Sequence, residues 1–142
     1  MLATATVKLP AFHPKQREVA LDPARFKVAA CGRRWGKTRL GAALCIMTAG
    51  KGGRAWWVAP TYPVASVGWR LIHRMARQVP GTVIRQGDRM VTFPNGGEIQ
   101  VRSADNPDSL RGEGLDFVVM DECAFIQEEI GRASCRERVF RT

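Results

Sequence analysis

The sequence predicts an α/β domain with a mostly parallel sheet and an antiparallel hairpin insert, and three observations carry that expectation. Short apolar runs alternate with stretches of helical period. One apolar run, residues 26–30, stops at a glycine-bearing turn that leads straight into a helix, and another, residues 117–120, stops at a pair of carboxylates. The 142 residues are 45% hydrophobic and 25% charged, an ordinary globular composition for one domain or part of one, which excludes a disordered chain.

The elements follow in order. After a lead-in ending at Pro10, residues 13–19 read as a short helix with Pro14 in its first turn, where a missing N–H costs nothing, and Asp22-Pro23 breaks it. Residues 26–30 read as a short buried strand. Residues 38–49 read as a helix with Leu40, Ala43, Leu44 and Met47 on one face. A second strand, residues 54–59, ends at Pro60-Thr61, and Thr61 as N-cap with Pro63 in the first turn opens a helix from 62 to about 79. Val67, Leu71, Met75 and Val79 give that helix its expected apolar stripe. Arg70, His73, Arg74 and Arg77 occupy much of the rest, as a solvated face or a DNA-facing one. Residues 82–85, 90–93 and 98–102 alternate apolar and polar positions between turn-rich segments, the pattern of three short antiparallel strands.

A net charge of +9 and a pI near 10.3 point to a polyanionic partner, nucleic acid first. Cys31, Cys45, Cys123 and Cys135 form no C-x-x-C pair and have no His at ligand spacing, which argues against zinc and for reduced intracellular thiols. The start lacks the basic flank and apolar core of a signal peptide. No apolar run approaches the ~20 residues of a membrane helix, so a cytoplasmic protein without membrane contact is expected.

CGRRWGKT, residues 31–38, is close to the phosphate-binding pattern G-x-x-x-x-G-K-[ST]: Cys31 stands at the first Gly and Gly32 one place later, while Gly36, Lys37 and Thr38 are in register. Gly32 and Gly36 let backbone N–H groups curl around an anion, and the following helix aims its positive end at the same point. In such a loop the backbone from Cys31 through Arg33, Arg34 and Trp35 cradles phosphates. Lys37 reaches the β/γ-phosphates and the Thr38 hydroxyl ligates Mg²⁺. A plain glycine turn is the alternative, but the strand, loop, helix context favours the phosphate site. In the second apolar run, Asp121 at the strand tip holds Mg²⁺ and Glu122 orients or deprotonates the attacking water. Gln16, just upstream of the loop, is either a surface glutamine or a carboxamide that pairs with an adenine edge.

With these parts in place the sequence resembles the ATPase domain of phage terminase large subunits across most of residues 12–127. The resemblance rests on Gln16 at the adenine-motif position, CGRRWGKT, WWVAPTY at 56–62, FPNGGEIQVRSAD at 93–105 and DSLRGEGLDFVVMDECAFI at 108–126. It implies a P-loop NTPase fold, ATP and Mg²⁺ as cofactors, and double-stranded DNA driven into a procapsid in the host cytoplasm. It further implies portal and small-subunit partners and a homo-oligomeric ring. It also makes Cys31 an accepted variant and Gln16 an adenine contact. Arg33, Arg34 or Arg111 would bring guanidinium charge to the γ-phosphate, without a choice among them. A superfamily-2 helicase shares the P-loop, the Pro-Thr segment and the Asp-Glu pair, but continues DE-x-[HD] where Asp121-Glu122-Cys123-Ala124 stands here. A nucleotide-binding DNA or subunit-interaction module without turnover is the reading from another class.

Residues 129–142 look like the translation of a sequencing adapter, so residues 1–128 are read as a partial ATPase domain and the remainder as a non-native tail. Removing the tail's four Arg and two Glu leaves a charge of +7. The domain is then expected to be C-terminally incomplete. Its strands at 26 and 117 would lack the sensor strand that the family places between them, making the chain alone aggregation-prone with negligible ATPase activity.

Overall fold

The structure, a computed structural model, describes residues 6–105, 110, 114–126 and 138–142. Its elements are α1 (Pro14–Leu21), β1 (Phe26–Val28), α2 (Lys37–Gly50), β2 (Arg54–Ala59), α3 (Tyr62–Ala76), β3 (Val83–Arg85), β4 (Met90–Thr92), β5 (Glu98–Ser103), β6 (Phe117–Met120), a 3-10 turn (Cys123–Phe125) and β7 (Arg138–Arg141). One seven-stranded sheet runs in the order β1-β7-β6-β2-β5-β4-β3. The ladders from β1 through β5 are parallel, and β4 and β3 close the far edge as the antiparallel insert. The α/β class and the mostly parallel sheet stand as the sequence predicts. Among the described residues no helix is long and apolar enough to cross a membrane.

The period-two alternation of the strands divides the sheet into two faces. Trp57, Val119 and Phe140 point to the face covered by α2 and α3, the main core. Trp56, Val58, Val118, Met120 and Val139 point to the other face, under Leu110 and the partly buried Leu115, Cys123 and Ile126. In α2, Leu40 through Ile46 and Ala49 are all buried, a wider surface than a single stripe. The α3 stripe is rotated from its expected position. Ala65, Gly68, Trp69, Ile72, Met75 and Ala76 face the core, while Val67 is exposed and Leu71 and Val79 are only half-buried. The reason is close approach: a Cβ on Gly68 would lie 2.3 Å from Trp57 Cε2, so only a glycine lets the helix settle on that indole. Large aliphatics mark the helix in the sequence, but small residues make its contact.

Two expectations about the centre of the sheet are corrected. The strand at 26–30 is neither buried nor so long: β1 is a three-residue edge strand whose Phe26 and Val28 are 57% and 71% exposed. The slot between β1 and β6 is not empty either. β7, from within the segment read as a tail, lies there in parallel register with Phe26 opposite Val139 and Val118 opposite the same residue. Val139 and Phe140 alternate between the two cores, so a short Val-Phe pair inside a charged segment supplies what the slot needs on both faces.

Candidate nucleotide site

Because β1, β7, β6 and β2 are parallel, everything that follows their last residues gathers on one edge of the sheet, where ligands of open α/β sheets bind. Residues 31–36 leave β1 there and turn into α2. Arg34 (φ +63°) and Gly36 (φ +88°) hold left-handed backbone, and Gly36 is the N-cap of α2 without any side-chain cap. The amides of the first turn are thus left with the positive end of the helix dipole for an anion to meet. Gly32 has open space where a Cβ would stand. The Lys37 ammonium lies under this turn, donating to the Cys31 carbonyl at 2.9 Å. Arg33 and Arg34 are exposed, and Cys31, Trp35 and Thr38 are half-buried.

Gln16 is not a surface residue: it is 5% exposed and built into the loop's support. Its Nε2 donates to the Trp35 carbonyl at 3.0 Å and the Gly36 carbonyl at 3.4 Å, while its Oε1 accepts from the His13 amide at 3.1 Å. His13 returns the contact by accepting from the Gln16 amide, completing a reciprocal cap of α1, and its ring meets Trp35 edge-on at 5.0 Å. A Cβ at Gly36 would strike the Gln16 carboxamide, so the loop and its buttress fit only with glycine there. Sequence reasoning missed this role of Gln16, and His13 with it. The signal was present in the His-x-x-Gln spacing around Pro14 at the start of the helix.

Asp121 follows β6, 6% exposed, with its amide donating to the Val58 carbonyl at 2.9 Å. The Thr142 hydroxyl donates to Asp121 Oδ1 at 2.6 Å and accepts from the Glu122 amide at 3.2 Å. Burial pushes the Asp121 carboxyl above its ordinary value; the Thr142 bond opposes this, the Glu122 charge adds to it, and the Lys37 charge opposes it. Glu122 is exposed and adopts left-handed backbone (φ +51°) ahead of the 3-10 turn, a strained conformation that non-glycine residues keep chiefly where the surroundings impose it. Thr142 was missed by sequence reasoning because its segment was set aside. Arg111 lies outside the described residues. Cys45 is a core thiol, pushed up by burial.

The residues present fit a nucleotide with Mg²⁺. An uncapped helix N-terminus and a lysine offer phosphate donors, and a hydroxyl and a buried carboxylate offer the few oxygen ligands that Mg²⁺ takes from protein when phosphates supply the rest. Fold and loop together define a P-loop NTPase-type domain. Residues 29–135 match the family described as terminase large subunit, T4likevirus-type, N-terminal, and the chain belongs to that family. The terminase large subunit of Thermus virus P23-45 is 31% identical over 136 residues, covering 80% of this chain and 28% of that protein; that of Escherichia phage T5 is 30% identical, covering 72% and 24%. The chain thus spans about a quarter of the length of these curated relatives. Among solved structures, the large terminase ATPase domain of Thermus phage P74-26 superposes with a TM-score of 0.70 at 28% identity, over 92% of this chain and 64% of that one. The large terminase of a thermophilic bacteriophage, solved in complex with ADP, shares the fold at a TM-score of 0.66 and 16% identity, over 92% of this chain and 38% of that one.

Proposed function

We propose that this chain carries the nucleotide site of an ATP-hydrolysing motor that drives double-stranded DNA into a phage procapsid. The observation that supports it most is that the loop leading into Lys37 at the start of α2 and Asp121 after β6 leave the same edge of the parallel sheet, beside an uncapped helix N-terminus. In this reading the backbone of residues 31–36 and the amides opening α2 bind the phosphates. Lys37 exchanges its Cys31 carbonyl for phosphate oxygen. Thr38 and Asp121 hold Mg²⁺, which when bound spreads the charge of the phosphate oxygens. Glu122, exposed beside Asp121, takes the proton of the attacking water. Arg33, Arg34 or Arg111 brings positive charge to the terminal phosphate. Gln16 contacts adenine, for which its carboxamide must share or exchange the bonds that now support the loop. Portal, small subunit and a homo-oligomeric ring in the host cytoplasm complete the proposal, through the family alone. The non-native origin of residues 129–142 is likewise a proposal, and the genomic reading frame beyond Gln127 tests it.

Nucleotide titration and phosphate release on Lys37→Ala and Glu122→Gln test the site. Lys37→Ala should lose ATP binding, and Glu122→Gln should keep ATP affinity while losing turnover. Unchanged ATP binding in Lys37→Ala would remove the phosphate site. These outcomes are expected of the intact large subunit that carries this domain, and an intact parent that binds ATP but never releases phosphate would instead favour an interaction module.

A further inference from the structure

We infer that Asn95 is a spontaneous deamidation site that the fold keeps closed, and that its conversion to a carboxylate unlatches the β4–β5 hairpin from α2. Asn95-Gly96 is the one asparagine–glycine step in the chain; the other asparagine, Asn106, precedes Pro107. The reaction needs the main-chain nitrogen that follows the asparagine. Gly96 has no side chain to shield that nitrogen, whereas the nitrogen of Pro107 has no proton to lose. Once deprotonated, the Gly96 nitrogen attacks Asn95 Cγ. The new N–Cγ bond closes a five-membered imide as the Cγ–Nδ2 bond breaks, and Nδ2 takes up a proton and leaves as ammonia. Water then opens the imide at either of its two carbonyls, leaving an aspartate or an isoaspartate at this position. Water is the only co-reactant.

In the folded chain both reacting groups are held. Asn95 Nδ2 donates to the Gly50 carbonyl at 2.9 Å and to the Ala49 carbonyl at 3.3 Å, while Oδ1 accepts from the Gly97 amide at 2.9 Å. The Gly96 amide donates to the Phe93 carbonyl at 3.0 Å. The leaving group is thus tied to the end of α2, and the attacking nitrogen keeps its proton in a turn bond. Gly97 is buried against the Ala49 backbone, and a Cβ at Gly81 would lie 3.1 Å from Pro94 Cγ, so the turn cannot shift without lifting away. Asn95 and Gly96 are themselves exposed, and solvent base and water reach them once the hairpin lifts. The latch suits an amide and not an acid. The last carbonyls of α2 carry the negative end of the helix dipole, and the carboxamide gives two of them a donor. A carboxylate there offers no donor and adds like charge, and an isoaspartate also lengthens the main chain by one methylene between Phe93 and Gly97, which are paired across the turn. An opening caught by the chemistry therefore does not reclose. This latch stands at the end of a 14-residue helix, about 21 Å from Lys37, and the inference is independent of the nucleotide reading.

The test sets the full chain beside a synthetic peptide of residues 90–102, the tryptic fragment that holds Asn95. Both are incubated in mildly alkaline buffer and digested, and the acid-for-amide mass shift is followed by mass spectrometry, with isoaspartate methyltransferase marking the isomer. Asn95 in the folded chain should convert at least about tenfold more slowly than in the peptide, since a latch of two hydrogen bonds must first open. In urea beyond its unfolding midpoint the chain should convert at the peptide's rate, and Asn106 should stay an amide throughout. Equal rates in the folded chain and the peptide would overturn the gate, and a peptide that keeps its amide would overturn the site. Asn95→Asp reads the consequence directly. It should melt several degrees below the parent and also below Asn95→Ala, which removes the donors without adding charge. An Asn95→Asp chain that melts with the parent would mean that a carboxylate keeps the latch shut, and the unlatching would be wrong.

Discussion

The two halves of the sheet are built to different standards. From β6 through β2 to β5 the strands are four to six residues long, with β6 and most of β2 buried and β5 alternating buried and half-buried positions, and their register is locked by specific contacts. Gly68 seats α3 on Trp57, and Gly97 brings the hairpin against Ala49, with Asn95 Nδ2 donating to the Gly50 carbonyl at 2.9 Å at the end of α2. From β7 to β1 the strands are three or four residues long, and Phe26 and Val28 lie open on the edge. The phosphate loop hangs from the thin half, while Asp121 ends the solid one at the boundary. Lys37 and Asp121, proposed above as phosphate and metal contacts, thus stand on opposite sides of a joint that β7 bridges within the sheet and α2, packed on β2 and β6, bridges on its face.

Removing β7 should therefore break the comparison outright. Deleting residues 138–142 leaves β1 and β6 each without its β7 ladder, exposes the partners of Val139 and Phe140, and strips Asp121 of the Thr142 hydroxyl. Each buried side chain lost costs about 1.5 to 3 kcal/mol and each unmet backbone group about 1 to 3 kcal/mol, against a total margin of ~5 to 15 kcal/mol. The truncated chain should show no cooperative melt by circular dichroism. A melt at the parent temperature would mean that β1 and the loop do not depend on β7. The aggregation expected of the whole chain from an empty slot transfers, on this structure, to the truncated one.

The solid half should fail more locally. Gly68→Ala places a methyl against the Trp57 ring, where neither the ring nor the helix can move far, and should cost about 2 to 3 kcal/mol in denaturant unfolding. A loss under about 0.5 kcal/mol would show that α3 can lift without consequence. Asn95→Ala removes the hairpin's bonds to the Ala49 and Gly50 carbonyls and should cost about 1 kcal/mol without altering nucleotide affinity.

What the sequence reveals follows the same division. The strand–loop–helix unit, the second strand, the hairpin insert and the run into Asp121-Glu122 are legible because each carries a local pattern of period, turn residues or caps within a few positions. The packing of α3 on Gly68 was not legible, since a helix wheel weighted by large apolar residues does not register a glycine as a contact. Nor was β7, whose four residues carry almost no periodic signal. They earn their place only by fitting a slot defined by strands about 20 and 110 positions away. Gln16 could be placed near the site, but its work on the Trp35 and Gly36 carbonyls required coordinates.

The smallest effect sharpens the boundary itself. Burial raises the folded-state pKa of Asp121 above its ordinary value, so the folded chain holds that proton more tightly than the unfolded one. The carboxyl then favours folding fully below the unfolded pKa, and stability falls as pH rises through the window between the unfolded and folded values. Above that window the charged carboxylate stays as a standing penalty, which the Thr142 hydroxyl and Lys37 offset only in part. Asp121→Asn keeps an oxygen for Thr142 and removes the charge. It should raise the melting temperature at pH 7 by a few degrees and change it little near pH 4, while weakening Mg²⁺-dependent nucleotide binding at pH 7. A lower melting temperature at pH 7 would mean that the ionised carboxylate supports the fold, and that the joint between the two halves is held by charge and not strained by it.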